Sequence, residues 1–138
     1  GLVGSEMCIR DSLKIATNMI TATTVEVLSE AYGLVTAAGI NPDSLAQAIE
    51  HNACGSVLTE MKLPTMIERD YEPHFSLKNM FKDAQYALSL GKSLGVDLPA
   101  ASTTANIMFR ALKNDLGEKD FSVIAERFQK ADESEAEK

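Results

Sequence analysis

The sequence lacks several signals that would point directly to a function. Its 138 residues include only two cysteines, Cys8 and Cys54, which are too few and too far apart for a disulfide framework or a zinc site. No apolar run approaches the roughly 18 residues needed to cross a bilayer. With 13 basic and 20 acidic residues the formal charge is −7, so phosphate neutralisation on a nucleic acid is not expected. These absences favour one globular domain with free thiols in a reducing, cytoplasmic compartment.

Motifs for several common chemistries are missing as well. The chain contains neither G-x-G-x-x-G nor a Walker-type lysine loop. His51 and His74 do not have metal-ligand spacing, either from each other or from Cys54. We therefore expect no metal site, and no nucleotide-binding loop can be assigned.

The two ends of the chain differ from its middle. Residues 1–12 (GLVGSEMCIRDS) lack the parts of a signal peptide and look like a translated sequencing-adapter remnant. We interpret them as a non-native segment. Residues 131–138 are polar and acidic and have nothing to bury, so we expect a disordered tail. The body of the domain is then 13–130.

Apolar residues in the body recur every three or four positions, a spacing that predicts helices. The first predicted helix covers 13–38, ends at Gly39, and is long enough to be central to the domain. The caps predicted for the later helices are Asn41 before Pro42, Ser56, Ser76 and Asp120. No segment alternates between apolar and polar residues as a half-buried strand would. The prediction is an all-α fold of about six helices.

Lys14 and Asn18 are the first candidate site residues. They are four positions apart, so both side chains lie on one face of the predicted long helix. An ammonium can donate a proton to a developing alkoxide while an amide orients the oxygen. The same spacing is also common on solvated helix faces, so the pair alone does not establish a site.

Phe75 and Lys82 are the second candidate pair. They lie seven residues, or about two helical turns, apart around the start of the fourth predicted helix. From the residues alone, Phe75 would pack on the helix start, Lys82 would be solvated, and Asp83 would pair with a neighbour. Taken by itself, this pair favours a structural interpretation.

The order of these features along the chain is more specific than any one of them. Lys14-x-x-x-Asn18 is followed by Ala38-Gly-Ile-Asn41, Phe75-x-Leu77 with Lys82-Asp83, Gly95-Val-Asp-Leu-Pro99, and Gly117 before Asp120-Phe-Ser122. This order closely resembles the C-terminal domain of the 3-hydroxyisobutyrate dehydrogenase (β-hydroxyacid dehydrogenase) family, over roughly residues 13–128. That family includes tartronate semialdehyde reductase and the glyoxylate/succinic semialdehyde reductases.

The resemblance implies a function for each matched residue. Lys14 matches the catalytic lysine, which is the general acid or base at the substrate oxygen. Asn18 matches the substrate-binding amide, and Phe75 and Lys82 match the residues that line and reach the NAD or NADP cofactor. The implied parent enzyme interconverts a short 3-hydroxy acid and its semialdehyde, and assembles as a homo-oligomer through this helical half. The resemblance gives Asp83 a structural role.

Two departures from the family pattern affect the expectation. The family approaches its lysine through G-x-x-G-x-G-x-x-x-K, whereas here Ser5, Cys8 and Arg10 stand at the glycine positions. The Rossmann domain that binds the dinucleotide in the family has no counterpart in these 138 residues. We therefore expect a fragment that is inactive alone. The sequence leaves open both the identity of the hydroxy acid and the choice between NAD and NADP.

Two alternatives remain. The chain could be a non-catalytic helical interaction or oligomerisation module, with Lys14 and Lys82 merely solvated. It could also derive from a 6-phosphogluconate-type dehydrogenase, although that domain is longer and needs basic residues for a substrate phosphate. The discriminating test is spatial: the dehydrogenase hypothesis predicts that Lys14, Asn18, Phe75 and Lys82 converge on one cleft edge.

Overall fold

The computed structural model of the chain describes residues 6–129, so the predicted acidic tail and residues 1–5 lie outside the described part. Its helices are α1 (Glu6–Ala37), α2 (Pro42–Glu50), α3 (Val57–Glu68), α4 (Leu77–Leu94), α5 (Pro99–Lys113) and a 3-10 helix (Phe121–Ala125). Within residues 6–129 the only extended pairing is an isolated bridge between Ser76 and Asp120. The predicted all-α fold of about six helices is confirmed.

The long first helix is present and begins earlier than the sequence indicated. It starts at Glu6, so it includes the end of the segment that we interpreted as non-native. Its C-terminus follows the prediction, because Gly39 adopts the left-handed conformation with φ 76°. The N–H of Ile40 then donates to the carbonyl of Val35 at 2.9 Å, which satisfies one of the last helical carbonyls.

Local capping residues fix where the later helices start. Asn41 accepts the N–H of Asp43 and precedes a proline in the first turn of α2. Ser56 forms a reciprocal capping box at the start of α3, and Ser76 caps α4. These predicted helix starts are confirmed. They could be predicted because each cap acts on residues within one turn of it.

Two predicted elements differ from the structure. The sequence predicts that the second helix, which starts after Asn41, ends at Cys54–Gly55; in the structure it ends at Glu50, because His51 already bonds back to the carbonyl of Ile49 and a turn follows. The last predicted helix begins as a 3-10 helix. Its Val123 N–H bonds to the carbonyl of Asp120, three residues back.

Helix α1 is the centre of the domain and contacts every other helix. Its buried side chains meet those of α3, α4, α5 and the 3-10 helix in one apolar core. The fully buried large apolar members are Val25, Leu63, Met66, Leu77, Met108 and Val123. None of the helices in the described part of the chain is both long and apolar enough to span a membrane.

Candidate active site

The N-terminal half of α1 and the middle of α4 together form an open cleft of about 290 Å³. Its lining residues are Asp11, Lys14, Ile15 and Asn18 from α1, and Asp83 and Tyr86 from α4. The cleft therefore combines one cation, two carboxylates, an amide and a phenol. This composition suits a small polar ligand better than an apolar one.

Lys14 and Asn18 share this cleft, as their spacing on one helix face predicted. The side chain of Lys14 is exposed, so its ammonium is accessible to a ligand. The hydroxyl of Thr17 donates to the carbonyl of Lys14 at 3.0 Å. The two candidate residues thus present an amine and an amide to the same space, one helical turn apart.

Asp83 holds Asn18 in place. The side-chain amide N–H of Asn18 donates to Oδ2 of Asp83 at 2.8 Å across the α1–α4 interface. This bond fixes which end of the amide faces α4, because only its nitrogen can donate to a carboxylate. The amide oxygen and the second N–H of Asn18 stay free of this bond. The sequence placed Asp83 beside a candidate lysine but gave no indication that it contacts Asn18.

Phe75 and Lys82 do not line this cleft. Lys82 directly precedes Asp83 in α4 and is exposed, and successive helical side chains point about 100° apart. Phe75 lies before the first turn of α4, half-buried, with its ring edge-on to Phe121 at a centroid distance of 6.5 Å. The structure therefore brings Lys14 and Asn18 together in the cleft, while Lys82 on α4 and Phe75 before the start of α4 lie outside it.

A buried ion pair lies beside the segment that carries Phe75. Lys62 Nζ donates to both carboxylate oxygens of Asp120 at 3.0 Å, and the side chains are 4% and 0% exposed. Burial alone would raise the pKa of Asp120, but hydrogen bonds from Ser122 and Lys62 and the Lys62 charge lower it below its usual value. The sequence identified Asp120 only as a helix cap and gave no signal for Lys62.

A second buried ion pair ties the C-terminal segment to α1. Glu26, which is 2% exposed, pairs with the guanidinium of Arg127, which also lies over the ring of Phe128. Burial raises the pKa of Glu26 to about 7, against the lowering effect of Arg127. Because 101 residues separate Glu26 from Arg127, local sequence patterns could not reveal the pair.

Residues 6–129 contain no group of three or more histidine, cysteine or acidic side chains placed to hold a metal ion. Cys54 is an exposed free thiol. His51 and His74 are also exposed. The polar side chains of Lys14, Asn18 and Asp83 line one open cleft and form the candidate ligand-binding site.

Comparisons with known proteins show which family the chain is similar to. A family profile described as NAD-binding of NADP-dependent 3-hydroxyisobutyrate dehydrogenase matches residues 11–128. Glyoxylate/succinic semialdehyde reductase 1 of Arabidopsis thaliana is 31% identical over 114 residues, which are 83% of this chain and 39% of that protein. L-threonate dehydrogenase of Escherichia coli O6:H1 is 27% identical over 126 residues, 91% of this chain and 42% of that protein.

The fold is similar to that of a solved relative too. The crystal structure of 3-hydroxyisobutyrate dehydrogenase from Salmonella typhimurium matches with a TM-score of 0.79 and 26% identity, over 83% of this chain and 40% of that one. The chain thus spans about two-fifths of the length of these relatives. By the match over most of its length, the chain belongs to the family described as NAD-binding of NADP-dependent 3-hydroxyisobutyrate dehydrogenase.

Proposed function

We propose that this chain is the helical substrate-binding and catalytic part of an NAD(P)-dependent β-hydroxyacid dehydrogenase. The reaction is the interconversion of a short 3-hydroxy acid and its semialdehyde, as in 3-hydroxyisobutyrate dehydrogenases and tartronate semialdehyde or glyoxylate reductases. The observation that carries the proposal is the shared cleft of Lys14 and Asn18, in which Asp83 fixes the Asn18 amide. A 6-phosphogluconate-type enzyme is disfavoured because Lys14 is the only cation that lines the described cleft.

Lys14 moves the proton in this proposal. In the reductive direction its ammonium donates a proton to the carbonyl oxygen as that oxygen becomes an alkoxide; in the oxidative direction the neutral amine accepts the hydroxyl proton. Asn18 orients the same oxygen or the substrate carboxylate with its remaining amide groups. Asp83 holds Asn18 through the 2.8 Å bond and therefore acts as a positioning residue.

The cofactor, NAD or NADP, supplies or accepts the hydride when bound. Lys82 and Phe75 suit a contact to it by their chemistry. Lys82 is exposed and forms no ion pair among residues 6–129, so its ammonium is available for a phosphate or carboxamide. Half-buried Phe75 offers ring surface for a nicotinamide.

The rest of the cofactor site belongs to a Rossmann domain outside this chain. We propose that the chain is a C-terminal fragment of the longer enzyme, works in the cytoplasm, and has no turnover by itself. Its length of about two-fifths of its relatives supports the fragment and its lack of turnover. The longer enzyme also determines which hydroxy acid is used.

The experiment that tests the function uses the longer protein that contains this chain. NAD(P)-dependent oxidation of 3-hydroxyisobutyrate and reduction of short semialdehydes are measured for wild type and for Lys14→Ala. We expect turnover to fall by roughly 10²–10⁴-fold in the variant with the fold retained. Lys92→Ala, an exposed lysine in the last turn of α4, is the matched control. Unchanged rates in Lys14→Ala would remove Lys14 from the mechanism.

A homo-oligomer is the proposed assembly. Leu13, Ile20, Val27 and Leu34 recur every seven residues on α1, and each is 59–72% exposed. A seven-residue repeat keeps these side chains on one slowly drifting helix face. An exposed apolar stripe of this kind is typical of a surface that packs against another chain.

Sedimentation of the chain at tens of micromolar tests this assembly. We expect self-association that Leu34→Glu abolishes and Val57→Glu preserves, because Val57 is equally exposed but lies on α3. A strictly monomeric wild type would refute the assembly.

The alternative function is a non-catalytic helical interaction module. The positions of Phe75 and Lys82 outside the cleft and the apolar stripe of α1 favour it. Two results together would support this alternative. Lys14→Ala would leave the turnover of the longer protein unchanged, and the chain would self-associate.

A further inference from the structure

The segment 70–76, which connects α3 to α4, is held by one buried carboxylate. Oδ1 of Asp120 accepts the backbone N–H groups of His74 at 3.1 Å and of Phe75 at 3.2 Å. The N–H of Asp120 donates in turn to the carbonyl of Tyr71 at 2.9 Å. The backbone conformation at Phe75 therefore depends on a residue that lies far away in the sequence.

The other oxygen of Asp120 is equally occupied. Oδ2 accepts the N–H of Ser122 at 3.1 Å and its hydroxyl at 2.7 Å. Lys62 Nζ bonds both oxygens at 3.0 Å. An ionised carboxylate suits this surrounding, because it only accepts hydrogen bonds whereas a protonated one would carry an O–H that competes with these donors; the ammonium of Lys62 supplies the compensating charge.

A buried ion pair of this kind is a poor source of stability. Moving both charges out of water costs several kcal/mol per ion, and a well-packed apolar pair is often as stable. What an apolar pair could not do is accept the N–H groups of His74 and Phe75. The contribution of Lys62 and Asp120 is therefore to the conformation of segment 70–76.

The ring of Phe75 depends on the same pair. It packs edge-on against Phe121, and the ammonium of Lys62 lies 4.8 Å from the centroid of the Phe121 ring. The carbonyl of Phe75 accepts the N–H of Phe121 at 3.0 Å. Asp120 thus fixes the backbone of Phe75, and Lys62 contacts the Phe121 ring against which the Phe75 ring packs.

We infer that Lys62 and Asp120 are positioning residues that fix segment 70–76 and thereby present Phe75 to the nicotinamide cofactor. The cofactor part of this role rests on the proposed function. Without the Lys62 charge, Asp120 loses its partner in an apolar core and its bonds to the segment weaken. The segment then opens while the helices around it stay folded.

Amide hydrogen exchange of the whole chain, followed by NMR, tests the positioning role. In Lys62→Met we expect exchange at the His74 and Phe75 amides to accelerate at least about tenfold, with α4 and α5 changed less than about twofold. Lys62→Arg, which keeps the charge and the donors, restores protection. Lys92→Met is the control and leaves all rates as in wild type.

A less disruptive substitution provides a second test in case Lys62→Met does not fold. Ser122→Ala removes the hydroxyl bond to Asp120, together with the bond that Thr65 donates to the same hydroxyl, and leaves both charges in place. We expect it to accelerate exchange at His74 and Phe75 by roughly threefold, whereas the control Ser93→Ala, on the exposed side of α4, has no effect. Wild-type exchange at both amides in the folded variants, or an equal acceleration throughout all helices, overturns the inference.

The cofactor part has a separate readout. Nicotinamide mononucleotide is titrated into the chain while the ring resonances of Phe75 are followed. We expect the wild type to bind nicotinamide mononucleotide weakly. Phe75→Ala, Lys62→Met and Ser122→Ala should reduce this binding, whereas Lys62→Arg should retain it. If a variant whose segment 70–76 has opened binds as tightly as the wild type, Lys62 and Asp120 do not position Phe75 for the cofactor. If the wild type does not bind nicotinamide mononucleotide, the proposed contact between Phe75 and the cofactor is contradicted. The exchange rates still decide whether Lys62 and Asp120 position segment 70–76.

Discussion

Glu26 should make the stability of this domain fall as pH rises from 5 to 8. Its carboxyl has a pKa of about 7 in the folded chain against 4.5 as the ordinary value. A carboxyl with a raised pKa binds its proton more tightly when folded, so its stabilising contribution is present below about pH 4.5 and is lost as pH rises through 7. At 1.36 kcal/mol per pKa unit, the loss between pH 5 and 8 is about 2–3 kcal/mol.

The assay compares the wild type with Glu26→Gln, which cannot titrate at this position. Urea unfolding, followed by circular dichroism at pH 5 and pH 8, gives the free energy of unfolding of each protein. The difference between the two proteins isolates Glu26, because the other groups titrate in both. Glu68→Gln, an exposed carboxylate at the end of α3, is the control and should follow the wild type.

The expected result is that Glu26→Gln reduces the stability loss between pH 5 and pH 8 by about 2–3 kcal/mol. Equal pH dependence in the wild type and Glu26→Gln would show that Arg127 keeps the carboxyl ionised throughout. The ion pair with Arg127, and not burial, would then control the pKa of Glu26.

Three further predictions concern packing, capping and activity. Gly33→Ala would place a Cβ 2.7 Å from the ring of Phe128, so we expect a destabilisation of about 1–3 kcal/mol in urea unfolding; an unchanged midpoint would mean that the ring moves aside freely. Ser56→Ala removes the capping box of α3 and should cost about 0.5–2 kcal/mol in the same assay, whereas a loss near zero would show that packing alone sets the start of α3. The purified 138-residue chain should give no NAD(P)-dependent turnover of 3-hydroxyisobutyrate above a protein-free control, and a measurable rate would contradict the proposal that the hydride carrier binds mainly outside this chain.

Features set by neighbouring residues could be predicted from the sequence. The caps Asn41, Ser56 and Ser76 each act on the first turn that follows, and Gly39 ends α1 through its own backbone angles. The shared cleft of Lys14 and Asn18 follows from the helical repeat for the same reason.

Features that join distant segments could not be predicted in this way. Asn18 and Asp83 are 65 residues apart, and Lys62 and Asp120 are 58 apart. The first pair depends on how α1 packs against α4, and the second on how α3 packs against the start of the 3-10 helix; a single sequence contains no local pattern for either. Phe75 packs against Phe121 before the start of α4, as its place in the sequence suggested, but the sequence did not show that Phe75 and Lys82 lie outside the cleft of Lys14 and Asn18.

The proposed function requires that Lys14 and Asn18 bind a short hydroxy acid, with Asp83 holding the Asn18 amide. Titration of 3-hydroxyisobutyrate into the 138-residue chain, followed through the side-chain amide resonance of Asn18, tests it most directly. We expect saturable shifts at Asn18. Lys14→Ala should weaken the binding at least about tenfold through loss of the charge-assisted contact, and Lys92→Ala should leave it unchanged. Shifts that are absent in wild type, or equally strong in Lys14→Ala, would contradict it.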